Sequence, residues 1–301
     1  MLKVWLRYLN HQILRRKKPL PAKSTAALTA ENKLLQNLGA LNNMVKRIAI
    51  EAGEITLKYF DGLEDMQVDT KSDDSPVTLA DREAEVFIQN SLEKILPDIP
   101  VIGEESVSLG QCKGVSDTHG YFWLVDPLDG TREFVGGGED FTVNIGLIKD
   151  GQPILGVVYA PARGELYAGY EGGQATRWME DSDSEKLITV RDWPSEGLTV
   201  VTSKNHGDQT RLNDFLEQFK VNKVTKHGSS LKMCVIAAGR ADIYPRFGPT
   251  CEWDTAAADA VLRAAGGMIT DIDGKALEYG GADPKWLNPE FIASSFAWFD
   301  V

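Results

Sequence analysis

The 301-residue chain is poor in cysteine, has no long apolar run and carries too little positive charge to offset its acids. Its three cysteines are odd in number and widely spaced, at Cys112, Cys234 and Cys251, which excludes a disulfide framework or a Cys-x-x-Cys metal site and indicates a reducing compartment. Without a run of roughly 18 apolar residues, no membrane-spanning helix is expected. The net charge of −12 argues against a nucleic-acid partner, whose binding depends on neutralised phosphates. We expect a cytoplasmic globular protein.

Positive charge is concentrated in the first 30 residues, which contain seven Lys or Arg and no acid. Apolar residues recur there at nearly helical spacing: Leu2, Leu6, Leu9 and Ile13. This pattern predicts a basic amphipathic helix within residues 1–23 that lies on an anionic membrane surface, which we expect to be the cytoplasmic face of the inner membrane. An unstructured extension and an organellar targeting peptide are the alternatives. Residues 1–40 are interpreted as this extension and its linker.

Hydrophobic periodicity predicts amphipathic helices over 41–59 and 84–95, the second ended by Pro97, with a polar loop over 71–76 between them. Strands are then predicted over 101–102, 121–125, 141–148, 154–159 and 166–170, with a hairpin turn at Asp150-Gly151. The second half alternates strands over 199–202, 241–244 and 268–271 with helices over 209–219, 230–238 and 255–265. These elements predict a layered α/β (α+β) protein with an N-terminal lobe over 41–180 and a C-terminal lobe over 181–301.

Acidic residues occur at four places where a predicted strand ends or a predicted helix begins. These places are Asp81, Glu104-Glu105, the segment from Asp126 to Asp129, and Asp254. Ligands of open α/β sheets gather at the carboxyl ends of strands, so we expect these acids to converge. Several carboxylates cannot ionise side by side without strong repulsion. Bound cations relieve that repulsion, and ligand sets made only of oxygen favour hard ions such as Mg²⁺.

The motif D-P-L-D-G-T contains several candidate functional groups within six residues. Its proline stiffens the turn, so Asp126 and Asp129 are expected to point the same way, with the carbonyl of Leu128 as a further oxygen ligand. Gly130 permits close backbone approach, and the N–H groups of Gly130 and Thr131 are expected to cradle a phosphate if a helix begins there. Carboxylates, Mg²⁺ and an anion cradle together describe metal-assisted phosphoryl hydrolysis.

Three of the four places also have a structural interpretation. Asp81 follows Thr78 in a T-x-x-D capping box, Asp254 is suited to the N-terminus of a helix, and Glu104-Glu105 is typical of a solvated loop. The D-P-L-D-G-T motif differs, because a turn requires neither the second acid nor the threonine. The joint occurrence of all four favours a functional site.

The segments G-E-E, D-P-L-D-G-T and W-D-T-A-A resemble the three signatures of the inositol monophosphatase superfamily of lithium-sensitive, Mg²⁺-dependent phosphatases, from about Leu41 to the C-terminus. Further segments, S-P-V-T-L-A-D, G-V-V-Y-A-P, G-S-S-L-K, Y-P-R-F-G-P-T and L-N-P, resemble its 3′(2′),5′-bisphosphate nucleotidase branch. The resemblance implies a two-lobed α-β-α-β-α sugar-phosphatase fold. It also implies removal of the 3′-phosphate of adenosine 3′,5′-bisphosphate, which yields AMP and phosphate in sulfur metabolism.

The resemblance further implies a set of residue roles. Two or three Mg²⁺ ions would be held by Glu104, Asp126, Asp129, Asp254 and the Leu128 carbonyl, with Asp126 bridging two of them. Asp81 and Thr131 would orient and deprotonate the attacking water, since a threonine hydroxyl alone is too weak a base. Gly130 and Thr131 would hold the scissile phosphate, beside the same metal ligands.

Contacts to the rest of the nucleotide are implied at Gly228, Ser229 and Lys232, with Ser203, His206 and Arg246 as further candidates. The segment T-S-K-N-H around Ser203 and His206 departs from the branch's usual Arg-Ser-His pattern, which weakens the assignment there. Lys232 as a solvated helix residue and Arg246 as part of a surface turn are the structural alternatives. The functional alternatives are a phosphatase for inositol monophosphate, histidinol phosphate or a sugar bisphosphate, and a non-catalytic protein that binds a membrane surface.

Overall fold

The computed structural model describes residues 33–62, 68–70, 76–111, 120–204, 208–280 and 285–300. The predicted N-terminal arm, residues 71–75 of the predicted loop, Cys112 and His206 therefore lie outside the described residues. The α-helices of the described part are α1 (Leu38–Phe60), α2 (Leu79–Ile95), α3 (Glu104–Ser108), α4 (Thr131–Val135), α5 (Gln209–Leu216), α6 (Leu231–Ala237) and α7 (Glu252–Ala264). The strands are β1 (Val68–Thr70), β2 (Pro76–Thr78), β3 (Val101–Gly103), β4 (Tyr121–Asp129), β5 (Thr142–Lys149), β6 (Gln152–Ala160), β7 (Glu165–Tyr170), β8 (Ala175–Met179), β9 (Ser184–Ile188), β10 (Leu198–Ser203), β11 (Val221–His227), β12 (Ile243–Arg246), β13 (Met268–Asp271) and β14 (Phe291–Ser294).

Helices α1 and α2 confirm the two amphipathic helices predicted near the start of the folded part. The side chain of Asn37 caps α1 by accepting from the backbone N–H of Ala40. Thr78 and Asp81 form a reciprocal capping box at the start of α2, so the predicted box is present. The predicted loop between the helices needs one correction, because Pro76 begins the short strand β2, which pairs with β1. In the described part of the chain, no helix is both long and apolar enough to cross a bilayer.

The larger sheet has the strand order β3-β4-β5-β6-β7-β8-β9 within the described residues. The turn between β5 and β6 confirms the predicted hairpin, with Asp150 and Gly151 at φ values of 50° and 78°. Strand β4 does not end at Val125 as predicted but continues to Asp129, with a register shift after Asp126. A proline has no N–H to donate to a neighbouring strand, so Pro127 interrupts the pairing without ending the strand.

The larger sheet includes residues on both sides of position 180, where the boundary between the lobes was predicted. Strands β8 and β9 were not predicted, and β9 extends the sheet to Ile188. Its sequence, S-E-K-L-I, is largely exposed at the edge of the sheet, with Leu187 64% exposed. An edge strand with little buried surface does not show the alternating apolar pattern that identifies a strand. The change from one sheet to the next therefore falls after Ile188.

The second sheet has the order β11-β10-β12-β14-β13, with β11 and β12 parallel to β10 and the other pairings antiparallel. The sequence predicted the three strands β10, β12 and β13, together with helices α5, α6 and α7. Strands β11 and β14 were missed. Strand β11 lies at the edge, and its residues V-N-K-V-T-K-H are mostly exposed, so no apolar face marks it.

The two sheets alternate with three layers of helix. Trp123 and Val125 of β4 pack towards α1 and α2. Phe122 and Leu124 of the same strand face the opposite way, into a core shared with α6, α7 and the inner face of the second sheet. The outer face of the second sheet packs against α5 through Phe215 and Leu216, among others. This order confirms the predicted α-β-α-β-α architecture.

Helix α7 packs on the larger sheet at a point where glycine removes the side chains. Gly156 of β6 lies opposite Gly146 of β5 and Gly169 of β7. A Cβ atom at Gly156 would lie 2.0 Å from the carbonyl oxygen of Ala257, which no real contact permits. The glycine therefore allows the backbone of α7 to approach the strand closely. This packing brings the first turn of α7, which contains Asp254, to the end of the sheet.

Candidate active site

Three predicted acidic residues meet at the end of the larger sheet. Asp126 and Asp129 come from the irregular end of β4, and Asp254 comes from the first turn of α7. One carboxylate oxygen from each lies within 4.8 Å of those from the other two. Glu104, the first residue of α3, lines a cavity of about 290 Å³. Asp129 and Asp254 are also part of the wall of this cavity. The structure thus brings the sequence-distant acids to one place.

Each of the three clustered carboxylates is held by a backbone N–H group. Asp126 Oδ1 accepts from Leu128 N at 3.0 Å, and Asp254 Oδ2 accepts from Cys251 N at 2.8 Å. Asp129 Oδ2 accepts from Ser230 N at 2.8 Å. Among the described residues, the second oxygen of each carboxylate has no hydrogen-bond donor. The fixed oxygen prevents the side chain from turning away, and the other remains available to a ligand.

The electrostatics of the cluster are unfavourable without a cation. Burial, followed by the negative charges of the surrounding acids, raises the pKa of Asp126 well above its usual value. Burial and the charges of Asp129 and Glu104 likewise raise the pKa of Asp254. Protons and cations must therefore compete for these oxygens. Several oxygen donors with no nitrogen or sulfur fit a hard divalent cation, so the residues present match a metal centre of the predicted kind.

Glu104 and the carbonyl oxygen of Leu128 are the other two predicted ligands. Glu105, next to Glu104, is 5% exposed and both residues belong to α3, so the solvated-loop interpretation of this pair is wrong. Leu128 is buried, and its carbonyl oxygen accepts from Thr131 Oγ1 at 3.2 Å. The role of that carbonyl as a ligand stays a prediction.

Asp81 and Thr131 meet across 50 residues of sequence. Asp81 is 1% exposed, and its Oδ2 accepts from Thr78 N at 2.8 Å and from Thr78 Oγ1 at 2.6 Å. Its other oxygen, Oδ1, lies 3.4 Å from Thr131 Oγ1. The capping interpretation and the functional one are thus compatible, because each uses a different oxygen. Asp81 is fixed by its own helix and still reaches the threonine that lines the cavity.

A serine pair from the second lobe contacts the carboxylate cluster directly. Asp129 Oδ2 accepts from Ser229 Oγ at 2.6 Å, and Ser230 Oγ lies 2.9 Å from both Asp129 Oδ2 and the Asp254 carbonyl oxygen. Thr142 and Asn144 on β5 support this pair at 2.5 Å and 2.8 Å. Ser229 was predicted to contact the nucleotide, whereas Ser230, Thr142 and Asn144 were missed. Polar residues at alternate positions of an otherwise apolar strand were the available signal for the last two.

Both predicted glycines of the site lie against Asp140. A Cβ at Gly130, whose φ is 92°, would lie 2.9 Å from the Asp140 carbonyl oxygen. Gly228 donates its N–H to Asp140 Oδ2 at 2.9 Å, and a Cβ there would lie 2.6 Å from that of Asp140. Arg163 and Lys204 pair with the same carboxylate, and their charges contribute to a lowered pKa of Asp140 despite its burial. These contacts join the D-P-L-D-G-T turn to the loop before α6.

The remaining predicted contacts, Lys232, Arg246 and Ser203, line the same cavity. Lys232 and Arg246 are 8% and 9% exposed, so neither is the solvated residue of the structural alternatives. Lys232 Nζ donates to the Ser229 carbonyl at 2.5 Å, and burial lowers the pKa of this ammonium group. Arg246 and Ser203 also line a second cavity of about 240 Å³, whose wall contains Lys204 and Lys226. His206 lies outside the described residues.

Comparison with known proteins finds similar sequences over most of the chain. The model of the inositol monophosphatase family matches residues 39–298. A protein from Shigella flexneri named 3′(2′),5′-bisphosphate nucleotidase CysQ is 44% identical over 254 residues, which make up 84% of this chain and 99% of that protein. A protein of the same name from Escherichia coli is 43% identical over 254 residues, with the same coverage of both chains.

A solved structure resembles the fold described above. The crystal structure of CysQ from Bacteroides thetaiotaomicron, described as a bacterial member of the inositol monophosphatase family, is 34% identical to this chain. It superposes with a TM-score of 0.66 and covers 82% of this chain and 94% of its own. Residues 1–38 lie outside the matched family region, which begins at residue 39.

Replacing Asp126 by Asn tests the metal centre. The amide keeps the oxygen that accepts from Leu128 but removes one charge, so we expect activity to be lost at every Mg²⁺ concentration. Asp254→Asn should be partly rescued by excess Mg²⁺. Because ionisation of Asp126 opposes folding once the pH rises through its raised pKa, the metal-free Asp126→Asn protein should lose less stability over that pH rise than the wild type.

Thermal unfolding with and without Mg²⁺, together with phosphate release, measures both effects. Asp192→Asn is the matched control, because Asp192 is exposed and distant in sequence from the cluster. Normal turnover by purified Asp126→Asn would contradict the assignment.

Proposed function

This chain belongs to the inositol monophosphatase family, and on that basis we propose that it is a 3′(2′),5′-bisphosphate nucleotidase that removes the 3′-phosphate of adenosine 3′,5′-bisphosphate. The family resemblance inferred from the sequence is thereby confirmed. The relatives that carry the nucleotidase name match nearly their whole length, so they include both lobes and the site between the sheets. The nucleotidases to which this chain is similar are phosphatases, and the chain is therefore a phosphatase.

The distribution of charge in the site is the observation that favours a substrate with two phosphates. One cavity is lined by Glu104, Asp129 and Asp254, and the adjoining cavity is lined by Lys204, Lys226 and Arg246 together with one acid, Asp208. The two cavities share Ser203, Tyr244 and Arg246 in their walls. A phosphate at the carboxylate cluster would therefore leave a second phosphate within reach of Lys226 and Arg246. Inositol monophosphate has no second phosphate to use it.

We assign the metal sites to Asp126, Asp129 and Asp254, with Glu104 and the Leu128 carbonyl as additional ligands. Bound Mg²⁺ would neutralise phosphate oxygens and make a water molecule a stronger nucleophile. The three hydrogen bonds from Ser229 and Ser230 leave one oxygen of Asp129 to face that charge. Mg²⁺ is proposed over softer ions because every donor is oxygen.

Asp81 and Thr131 would move the proton that the attacking water loses. Thr131 Oγ1 has two acceptors within reach of its single hydrogen, the Leu128 carbonyl at 3.2 Å and Asp81 Oδ1 at 3.4 Å. Transfer of that hydrogen to Asp81 Oδ1 allows Oγ1 to take a proton from water at the same time. Long hydrogen bonds of this kind commonly shorten when substrate binds. The pairing of Oδ2 with Thr78 keeps Asp81 in place during the transfer.

The two alternative functions considered from the sequence differ from the proposed one in the parts of the site that they would use. A phosphatase for inositol monophosphate would use the same metal cluster but not the second cavity. A non-catalytic membrane-binding protein would need neither the clustered carboxylates nor the contact between Asp81 and Thr131. The retention of both features in one cavity favours catalysis.

Replacing Thr131 by Val tests the proton path. The change removes the hydroxyl while keeping a β-branched side chain, so kcat should fall by about 10²–10⁴-fold for every phosphorylated substrate. KM should change little, because the hydroxyl acts on the water molecule. Thr131→Ser keeps the hydroxyl and should restore most of the rate. Equal loss of activity in the Ser and Val variants would show that the methyl group, and not the proton path, matters.

Replacing Lys226 by Ala tests the nucleotide assignment. We expect KM for adenosine 3′,5′-bisphosphate to rise by about tenfold, since a charge-assisted contact to the second phosphate is lost. Hydrolysis of 3′-AMP, which lacks that phosphate, should be unaffected. Lys223→Ala is the matched control, because Lys223 is an exposed lysine of the same edge strand that does not line the cavity. If inositol 1-phosphate is the better wild-type substrate, the inositol alternative is correct.

The basic arm supports a separate proposal, because its charge of +7 contrasts with −19 for the rest of the chain. We propose that residues 1–23 bind an anionic membrane surface. Deleting them should leave kcat/KM on soluble nucleotide unchanged. It should also abolish sedimentation with phosphatidylglycerol vesicles at low salt, where the attraction is least screened. Phosphatidylcholine vesicles are the control. A full-length chain that never sediments with anionic vesicles would refute this proposal and leave the catalytic one intact.

A further inference from the structure

A buried carboxylate one helical turn beyond Asp81 has no part in the chemistry described so far. Glu85 of α2 is 3% exposed and lines neither of the two cavities. Burial raises its pKa, and hydrogen bonds from Ser106 and Glu105 oppose that rise. A carboxylate is costly to bury unless hydrogen bonds compensate for lost water. The groups that bind Glu85 therefore indicate what it does.

All of its backbone donors belong to the first turn of α3. Glu85 Oε2 accepts from Glu105 N at 2.7 Å, and Oε1 accepts from Ser106 N at 2.8 Å and from Ser106 Oγ at 2.5 Å. The residue before α3 is Gly103, which has no side chain to cap the helix. The first N–H groups of a helix have no partner within it. Glu85 thus supplies from another helix the cap that α3 does not supply itself.

The glycine before α3 is what allows this contact. A Cβ at residue 103 would lie 2.4 Å from the carboxyl carbon of Glu85 and 2.6 Å from both of its oxygens. Any larger residue at this position must displace the carboxylate. The glycine of the G-E-E motif is therefore required in this chain because Glu85 occupies the space of a side chain at residue 103.

We propose that Glu85 is a positioning residue for the metal site, because its cap fixes the first turn of α3 and so holds Glu104 towards the carboxylate cluster. This inference rests on the proposed function, in which Glu104 is a metal ligand. Asp81 and Glu85 are four residues apart, so they lie on the same side of α2. One helix would then set both the proton acceptor and the orientation of a ligand that comes from a different element.

The test is metal binding to the full-length, metal-free protein, measured by calorimetric titration with Mg²⁺. Glu85→Gln keeps the size of the side chain but turns an NH₂ group towards one of the backbone donors. We expect the Kd for Mg²⁺ to rise by about tenfold, the lower end of what loss of a supporting partner costs a metal site. At saturating Mg²⁺, kcat and the KM for nucleotide should stay near the wild-type values.

A second variant, at Gly103, perturbs the contact between Glu85 and α3 without changing Glu85 itself. Gly103→Ala leaves Glu85 chemically intact but occupies its space, and its φ of −108° is one that alanine adopts readily. It should weaken Mg²⁺ binding in the same direction. Asp242→Asn is the control, because Asp242 is also fully buried and also accepts from a backbone N–H, that of Thr199 at 2.6 Å, in the second sheet. It should reduce stability without changing the Kd for Mg²⁺.

A double-mutant cycle tests whether Glu85 acts through Glu104. In a Glu104→Gln background, Glu85→Gln should cause little further loss of Mg²⁺ affinity, because the ligand that it positions is already impaired. Additive losses would overturn the inference, as would unchanged Mg²⁺ affinity in both Glu85→Gln and Gly103→Ala. Failure of the proposed function has a different signature: no nucleotide hydrolysis by the wild type, while Mg²⁺ binding still depends on Glu85.

Discussion

Repulsion between carboxylates held in one cavity is the constraint on which the rest of the site depends. Asp126 is almost completely buried, and the acids around it add to the cost of its charge. A side chain that could rotate would relieve this repulsion by turning towards solvent. Backbone N–H groups prevent that by binding one oxygen of each clustered aspartate. The protein thereby keeps a negative field that a divalent cation can neutralise.

The cluster is intact only when distant parts of the chain are packed together. β4 supplies two acids, α7 supplies the third, and the loop at Ser229 and Ser230 binds two of them. Helix α7 reaches the sheet because Gly156 leaves room for its backbone. The loop reaches Asp129 because Thr142 and Asn144 lie opposite Asp129 and Asp126 on the neighbouring strand. Packing between the two lobes is therefore a requirement for the site, and it also brings the cavity lined by Lys226 and Arg246 next to the one lined by Asp129 and Asp254.

Features marked by a local sequence pattern could be predicted from the sequence, and contacts made by residues that no such pattern marks could not. The acids of D-P-L-D-G-T are close in sequence, and the motif restricts their geometry, so their shared location was predictable. The amphipathic helices α1 and α2 were predictable because one face of each is buried. The edge strands β9 and β11 were missed because they bury too little to show a pattern. Ser230 and Glu85 were missed because their partners lie about 100 and 20 residues away in the sequence.

Diffraction from crystals grown with Mn²⁺, collected to obtain an anomalous difference map, tests the metal centre most directly. Mn²⁺ prefers the same oxygen ligands as Mg²⁺ and has a strong anomalous signal. Peaks are predicted in the cavity between Asp126, Asp129 and Asp254, with Glu104 contacting at least one of the bound ions. A map with no peak in that cavity, or with its strongest peak at another place on the protein, would contradict a metal-dependent reaction at these residues.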